Sequence, residues 1–362
     1  MRKFFITGGA GFIGSNFIHY IINNTTDIQI INLDSLTYAG NLENLSSLES
    51  NPRYKFIHGN INDSVIIDEI FKKEPIEKII HFAAESHVDR SISDPLIFIQ
   101  TNVLGTANLL VHSERYWKNL SPQQKKSFRF LHVSTDEVFG SLKKEEPAFT
   151  ETTPYAPNSP YAASKASSDH LVRAYFHTYG FPIIITNCSN NYGQFQNPEK
   201  LIPLVISNAL HGKLIPVYGD GKQIRDWLFV KDHCEALLSV LNSGIPGQSY
   251  NIGGNNQPTN LIIINTICSI LDSLIPNSKY TPHANLIDFV KDRPGHDRRY
   301  AMDTTKISSQ LGWFPKESLE SGLRMTINWY LDNEAWVTNV LKKKSHKKWM
   351  ENNYTKRGAN TL

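Results

Sequence analysis

The sequence is poor in the features that define several classes of protein. Only 3 of its 362 residues are cysteine, with no paired spacing, which argues against a disulfide framework or a zinc cluster and favours a reducing compartment. No segment stays apolar for the roughly 18 residues of a membrane span, and residues 1–9 lack the apolar core of a signal peptide. The formal net charge is only +3, so bulk charge does not indicate nucleic-acid binding. We therefore expect a cytoplasmic protein with neither a membrane nor a nucleic-acid partner.

The first half of the chain alternates short apolar runs with longer helical patterns. Strands joined by crossover helices predict an α/β fold, a Rossmann-type doubly wound parallel sheet, whose ligands bind at the carboxyl ends of the strands. The predicted strands are residues 3–7, 29–33, 54–57, 78–82, 128–134 and 183–187, and the predicted helices are residues 12–23, 66–73, 97–117 and 161–179.

The pattern changes beyond about residue 190, where Pro and Gly separate shorter elements such as residues 214–218, 227–230 and 249–252. These elements predict a smaller mixed α/β lobe that packs beside the sheet. We therefore expect three parts: a Rossmann domain with the catalytic residues at 1–190, a substrate lobe at 191–340, and a basic tail at 341–362.

A glycine-rich loop follows the first predicted strand and opens the first predicted helix. Gly8 permits a tight turn, Gly11 lets the backbone approach a pyrophosphate, and Gly14 lets the helix pack closely on the strand. Asp34 closes the second strand, where a carboxylate accepts hydrogen bonds from a ribose. No arginine stands beside it, so NAD is favoured over NADP. A dehydrogenase, an epimerase, a dehydratase and a redox sensor would all use such a loop.

Two further pairs carry reactive groups. Tyr161 and Lys165 lie one helical turn apart, so the lysine could favour a phenolate base and hold the nicotinamide ribose; the alternative is an ordinary surface pair. Asp136 and Glu137 follow the fifth predicted strand, where one carboxyl group can act as acid and the other as base. Alternatively, these two carboxyl groups cap the next turn.

Together these motifs resemble those of the extended short-chain dehydrogenase/reductases and, within them, of the dTDP-glucose 4,6-dehydratases. The resemblance covers nearly the whole chain, and it extends through residues 81–91, 187–193, 198–203, 223–227 and 292–300. It implies a lyase that converts dTDP-glucose to dTDP-4-keto-6-deoxyglucose and water, with NAD bound throughout, and so feeds the synthesis of deoxysugars such as rhamnose.

The resemblance also implies a role for each reactive residue. Tyr161, supported by Lys165, would take the proton of the C4 hydroxyl while hydride passes to NAD, and Thr135 would bond the C4 oxygen. Glu137 would remove the C5 proton, and Asp136 would protonate the departing C6 oxygen. Hydride would then return to C6.

Two sets of binding residues are implied in the same way. The expected NAD contacts are Gly8, Gly11, Phe12, Ile13, Gly14, Asp34, Ser35, Leu36, Thr37, Asn60, Ile61, Phe82, Ala83, Ala84, Glu85, Ser86, Thr101, Tyr161, Lys165 and Asn191. The expected substrate contacts are Ser86, Thr135, Asn190, Lys200, Leu201, Pro216, Val217, Tyr218, Arg225, Asn260, Asp292, Arg293, Pro294, Gly295 and His296.

Among the substrate contacts, the guanidinium of Arg225 suits a diphosphate, and its alternative role is a surface salt bridge with Asp226. His81 and His87 receive no chemical role, and no cluster has metal-ligand spacing, so we expect no metal.

Two residues depart from the family pattern, and several alternatives stay open. Asn60 stands where the family has Asp, at a position expected to accept a hydrogen bond from the adenine amino group. Gln194 stands where the family has Pro, and it is expected near the entrance of the active site. The alternatives are a UDP-glucose 4,6-dehydratase, a sugar-nucleotide 4-epimerase, and a non-catalytic NAD-dependent sensor. The family resemblance further implies a homodimer that forms through the helices at 97–117 and 161–179.

Overall fold

The structure is a computed structural model that describes residues 1–292 and 296–342. Three of the predicted substrate contacts, Arg293, Pro294 and Gly295, lie outside the described residues, as does almost all of the predicted basic tail. The strands are β1 (Arg2–Thr7), β2 (Ile28–Asp34), β3 (Tyr54–His58), β4 (Ile76–His81), β5 (Arg129–Thr135), β6 (Ile183–Cys188), β7 (Asn190–Tyr192), β8 (Ile215–Tyr218), β9 (Trp227–Phe229), β10 (Ser249–Ile252) and β11 (Ile287–Val290).

Helices follow most of these strands. The α-helices are α1 (Phe12–Asn24), α2 (Ser64–Lys73), α3 (Val88–Ser93), α4 (Pro95–Phe98), α5 (Thr106–Lys118), α6 (Pro122–Ser127), α7 (Pro160–Tyr179), α8 (Leu201–Leu210), α9 (Val230–Ser243), α10 (Asn260–Leu274), α11 (Thr305–Leu311), α12 (Leu319–Asp332) and α13 (Glu334–Lys342). Short 3₁₀ turns span Leu42–Leu48, Asp136–Phe139 and His283–Leu286.

The central sheet has seven parallel strands in the order β10-β6-β5-β4-β1-β2-β3. The strand order reverses between β1 and β4, which is the switch point at which doubly wound sheets bind ligands. The predicted fold is confirmed. The prediction of six strands was wrong, because Ser249–Ile252 is not in the smaller lobe but pairs with β6, with Ser249 opposite Ile185.

Alternate residues of the central strands point to opposite faces of the sheet, and both faces are buried. Phe4 and Ile6 pack in one core with α1 and α9, whereas Phe5 packs in another with Ile31 and Ile79. A strand covered on both faces must be apolar at every position, which explains the continuous apolar runs of the sequence. The helices that cover the sheet leave its carboxyl edge open.

The remaining strands pair in two small sheets, β8 with β11 and β7 with β9. They share a separate core with α8, α10, α12 and α13, in which Ile264, Leu323 and Trp336 are buried. This is the smaller mixed lobe that the sequence predicts. The boundary at residue 190 stays a prediction, and β10 crosses it to complete the central sheet.

The helix predicted at 97–117 is interrupted. Helix α4 continues into a π-helical segment, Ile99–Gly105, before α5 begins at Thr106. A π-helix is rare and often lies at a functional site. Here it carries Asn102, whose side chain bonds both the N–H and the carbonyl of Glu85, at 2.8 and 3.0 Å. Within the described residues, no helix is both long and apolar enough to cross a membrane.

Candidate functional site

A cleft opens along the carboxyl edge of the sheet, and the glycine loop forms its floor. Gly8 has a φ of 75°, and a Cβ atom there would lie 2.5 Å from the backbone nitrogen of Ala83. A Cβ at Gly14 would collide with the carbonyl of Gly8. Gly11 caps α1 without a side-chain hydrogen bond, so the first N–H groups of the helix face the cleft. This cradle suits the pyrophosphate of a dinucleotide.

Asp34 ends β2 at the side of the same cleft. Its Oδ2 atom accepts a hydrogen bond from the N–H of Ala10 at 2.9 Å, and Oδ1 accepts one from Leu36 at 2.8 Å. Burial raises the pKa of Asp34, and these two N–H groups oppose the rise. An ionised carboxylate has about four acceptor positions, so acceptor capacity remains for ribose hydroxyls.

Asn60 lines the same cleft as Asp34. Its Oδ1 atom accepts hydrogen bonds from the N–H and side chain of Asn62, at 2.9 and 3.2 Å. The oxygen expected to receive an adenine amino group is therefore partly engaged in a local turn. The other departure, Gln194, lines a separate cavity between α1, α9 and α12, although the next residue, Phe195, lines this cleft.

Every predicted NAD contact except Leu36 lines the cleft. Leu36 adopts a φ of 52° and contributes its N–H to Asp34. The predicted NAD contacts that line the cleft are Gly8, Gly11, Phe12, Ile13, Gly14, Asp34, Ser35, Thr37, Asn60, Ile61, Phe82, Ala83, Ala84, Glu85, Ser86, Thr101, Tyr161, Lys165 and Asn191.

The predicted reactive groups meet in this cleft. Strand β5 ends at Thr135, and a 3₁₀ turn follows that carries Asp136 and Glu137. Helix α7 begins at Pro160, and Ser159 caps its N-terminus. Tyr161 and Lys165 are one turn apart and so lie on one face of this helix. All five of Thr135, Asp136, Glu137, Tyr161 and Lys165 line the same cleft. The two motifs are separated in the sequence, so the fold brings them together.

Asp136 is suited to carry a proton. Its side chain is buried, at 1% exposure, and its Oδ1 atom accepts a hydrogen bond from Thr135 at 3.2 Å. Burial, followed by the charges of Glu137 and Asp226, raises the pKa of Asp136 well above its ordinary value, although Arg225 opposes this. A carboxyl group whose neutral form is favoured in this way is suited to donate a proton.

The pKa of the Tyr161 phenol is raised rather than lowered. Burial and the charge of Glu137 raise the pKa of its phenol well above 10, while a hydrogen bond with Thr135 lowers it. The Nζ atom of Lys165 donates to the carbonyl of Val133 at 2.9 Å. Desolvation dominates the pKa of the phenol, so the expected role of Lys165 in favouring a phenolate beside the nicotinamide stays a prediction.

Behind these groups lies a buried polar network that the sequence analysis missed. Asp169, one turn beyond Lys165 on α7, accepts hydrogen bonds from Ser134 at 2.8 Å and Tyr155 at 2.9 Å, and lies 3.1 Å from His132. Although burial opposes it, the hydrogen bond of His132 and the charge of Lys165 hold the pKa of Asp169 below its usual range. The helical spacing from Tyr161 and Lys165 was the available signal.

The predicted substrate contacts fall into two groups. Those that line the cleft are Ser86, Thr135, Asn190 and Lys200. Those outside its lining are Leu201, Pro216, Val217, Tyr218, Arg225, Asn260, Asp292 and His296. Several of the second group form a cluster in the smaller lobe: Asp292 lies 2.6 Å from His296 and accepts a bond from Gln223 at 3.0 Å. The side chain of Val217 is buried in the core of that lobe, so only its backbone could meet a ligand.

Arg225 is a buried member of the second group. It is 5% exposed, its guanidinium lies 4.2 Å from the centre of the Tyr300 ring, and it donates to the carbonyl of Asp297 at 2.9 Å. Asp226 is fully buried and accepts instead from the N–H of Gly254. The alternative of a surface salt bridge between Arg225 and Asp226 is therefore wrong. Across the described ranges, 1–292 and 296–342, no group of three or more ligating side chains could hold a metal ion.

The sequence and the fold of this chain are both similar to those of known proteins. Residues 5–326 match the sequence profile of the family described as GDP-mannose 4,6 dehydratase. The chain belongs to this family. A dTDP-glucose 4,6-dehydratase of Neisseria meningitidis is 56% identical over 343 residues, which cover 94% of this chain and 96% of that relative. The predicted recognition as a relative of the dTDP-glucose 4,6-dehydratases is confirmed.

Solved structures of 4,6-dehydratases share the fold as well. The enzyme of Bacillus anthracis, in complex with NAD, superposes with a TM-score of 0.83 at 44% identity and covers 94% of this chain and all of its own. The enzyme of Streptomyces venezuelae, with NAD and a second ligand bound, gives 0.84 at 42% identity with the same coverage. Both neighbours were solved with the cofactor that the glycine loop of this dehydratase-family chain predicts.

Proposed function

We propose that this chain is a lyase that converts dTDP-glucose to dTDP-4-keto-6-deoxyglucose and water, with NAD as its resident cofactor. The observation that carries the proposal is that Asp136 and Glu137 line one cleft with Tyr161 and the glycine loop. A reaction that only oxidises the sugar would need the tyrosine but neither carboxyl group. An elimination in addition needs an acid and a base, and this cleft holds both.

The residues present fit NAD. The glycine loop offers backbone N–H groups where any side chain would collide, and Asp34 retains acceptor capacity for a ribose without an adjacent arginine. Bound NAD supplies a hydride acceptor for C4, a hydride donor for C6, and a positive charge near the phenol. Lys165, buried one turn from Tyr161, holds a second positive charge on that side.

The chain's own residues then move the protons. Tyr161 accepts the proton of the C4 hydroxyl, and the Thr135 hydroxyl donates a hydrogen bond to the developing C4 oxygen. The C4 ketone acidifies the C5 proton, which Glu137 removes. Asp136, whose neutral form is favoured by burial, gives its proton to the C6 hydroxyl, which leaves as water. Glu137 returns a proton to C5 as C6 is reduced.

The sugar nucleotide would extend from the cleft toward the smaller lobe. We infer that Ser86, Asn190 and Lys200 contact the sugar, since they line the cleft, and that the cluster around Asp292 and His296 receives the nucleoside. We infer that Arg225, which donates to the carbonyl of Asp297, pairs with the diphosphate. The product is a 4-keto-6-deoxy sugar nucleotide, the kind of intermediate that deoxysugar synthesis consumes.

The test is to incubate the purified protein with dTDP-glucose and, separately, with UDP-glucose, and to follow the mass of each sugar nucleotide without added NAD. Loss of one water from dTDP-glucose alone supports the proposal. The same loss from UDP-glucose alone would move the substrate to that sugar nucleotide. An unchanged mass with inversion at C4 would favour an epimerase, and no change in either substrate with NAD supplied would favour a non-catalytic sensor.

We also propose a cytoplasmic homodimer. Large apolar side chains are exposed along the stretch from α4 to α5, where Leu96, Leu104 and Val111 are 76%, 55% and 48% exposed. Leu104 and Val111 are seven residues apart and so share a face. All three cysteines are buried and free, which suits a reducing compartment. Leu104→Glu should give a monomer in sedimentation experiments, and an unchanged mass would place the dimer surface elsewhere.

A further inference from the structure

Arg90 lies beside the cleft on α3 and contacts two segments that line it. Its guanidinium carbon lies 3.9 Å from the centre of the Tyr38 ring, within the range of a cation–π contact. Its Nη2 atom donates to Oε2 of Glu199 at 3.0 Å. Tyr38 and Glu199 both line the cleft, but they come from segments that are far apart in the sequence.

The carboxylate end of the ion pair is buried, whereas the Arg90 side chain is 21% exposed. Glu199 is 3% exposed, and its second oxygen lies 3.7 Å from Nε2 of His87. A buried carboxylate that loses its partner leaves an uncompensated charge, so the Glu199 segment is held strongly to Arg90. Burial, followed by the charges of Glu199 and Glu85, raises the pKa of Tyr38, so its ring stays neutral beneath the guanidinium.

The two residues that Arg90 contacts belong to different sides of the cleft. Tyr38 follows β2 and Asp34, on the side of the cleft that suits the ribose of the adenosine. Glu199 immediately precedes Lys200, whose Nζ atom donates to the carbonyl of Ser86 at 3.4 Å. Arg90 therefore ties the adenosine side of the cleft to the segment that reaches the sugar side.

We propose that Arg90, Tyr38 and Glu199 form a clasp that keeps NAD in the cleft throughout the reaction cycle. This inference rests on the proposed function, in which hydride taken from C4 must return to C6 before the cofactor leaves. Arg90 acts as a positioning residue: it holds the two sides of the cleft together and takes no part in the chemistry.

The experiment measures the rate at which bound NAD exchanges with labelled NAD. Arg90→Met should speed release at least about tenfold, because it removes both the ion pair and the cation–π contact. Arg90→Lys should be intermediate, since lysine keeps the charge but lacks the flat fork. Glu199→Gln, which preserves shape and removes the carboxylate charge, should also speed release and provides a second test if Arg90→Met does not fold.

Two controls separate the clasp from general loss of stability. Arg324→Met removes an exposed arginine from a pair on α12, and Ile267→Val weakens the buried core of the smaller lobe. Neither should change NAD release, even if the second lowers the melting temperature. Wild-type release rates in both Arg90→Met and Glu199→Gln would overturn the clasp. A wild-type protein that binds NAD but leaves dTDP-glucose unchanged would instead overturn the proposed function.

Discussion

Replacing Asp136 with asparagine tests the proposed chemistry most directly. The side chain is 1% exposed at the end of β5, and its neighbours raise its pKa well above the ordinary range. Asparagine has nearly the same shape and can still bond Thr135, but it has no acidic proton to give. The substitution should therefore leave binding and C4 oxidation in place and remove only the protonation of the C6 oxygen.

The expected magnitude follows from that loss. A positioned general acid contributes about 10²–10⁴ in rate, which corresponds to roughly 3–5 kcal/mol of the barrier. Product formation from dTDP-glucose should fall by this factor. Because oxidation at C4 precedes the blocked step, the absorbance of NADH should rise in proportion to the enzyme present and then persist. Stopped-flow absorbance and product mass measure the two quantities.

Two outcomes would refute the reasoning. Turnover within about threefold of wild type would remove Asp136 from the role of general acid, because the loss expected is at least about a hundredfold. Slow turnover without NADH accumulation would place the defect before elimination. Asp27→Asn provides the control, since that carboxylate is 61% exposed in a surface pair with Arg2 and should leave both signals unchanged.

Tyr161→Phe should stop the reaction before oxidation, so neither NADH nor product forms in the same assay. Gly14→Ala should lose bound NAD, measured by absorbance after denaturation, because its Cβ collides with the Gly8 carbonyl. Burial lowers the pKa of His132 from 6.5 to about 4 and that of His233 to about 3, so unfolding takes up protons. The free energy of unfolding should hold above pH 6.5 and fall below it by about 1.4 kcal/mol per pH unit for each histidine, with His233→Gln reducing the slope in urea titrations.

Much of the nucleotide-binding half was predictable because its signals are local. A glycine loop between a strand and a helix, an Asp at the end of the next strand, and a Tyr–Lys pair one helical turn apart each depend on short spacing. Their side chains line one cleft in the structure. Leu36 is the exception among the predicted NAD contacts, because a positive φ turns its backbone toward Asp34 rather than its side chain toward the cleft.

Contacts between distant segments were not predictable in this way. Strand β10 resembles other short elements of the smaller lobe, and only its pairing with β6 places it in the central sheet. Arg225 and Asp226 are adjacent in the sequence yet bond different partners. The sign of the pKa shift at Tyr161 also depended on burial, which spacing alone does not report.

Residue identities and short spacings specify the type of chemistry, because they define a dinucleotide loop, an acid, a base and a phenol. How these groups behave depends on the tertiary structure. Burial favours the protonated form of Asp136 and opposes ionisation of Tyr161, and this desolvation depends on atoms contributed by many segments. Likewise Arg90 joins Tyr38 to Glu199 only because the fold brings three separate segments to one edge of the sheet.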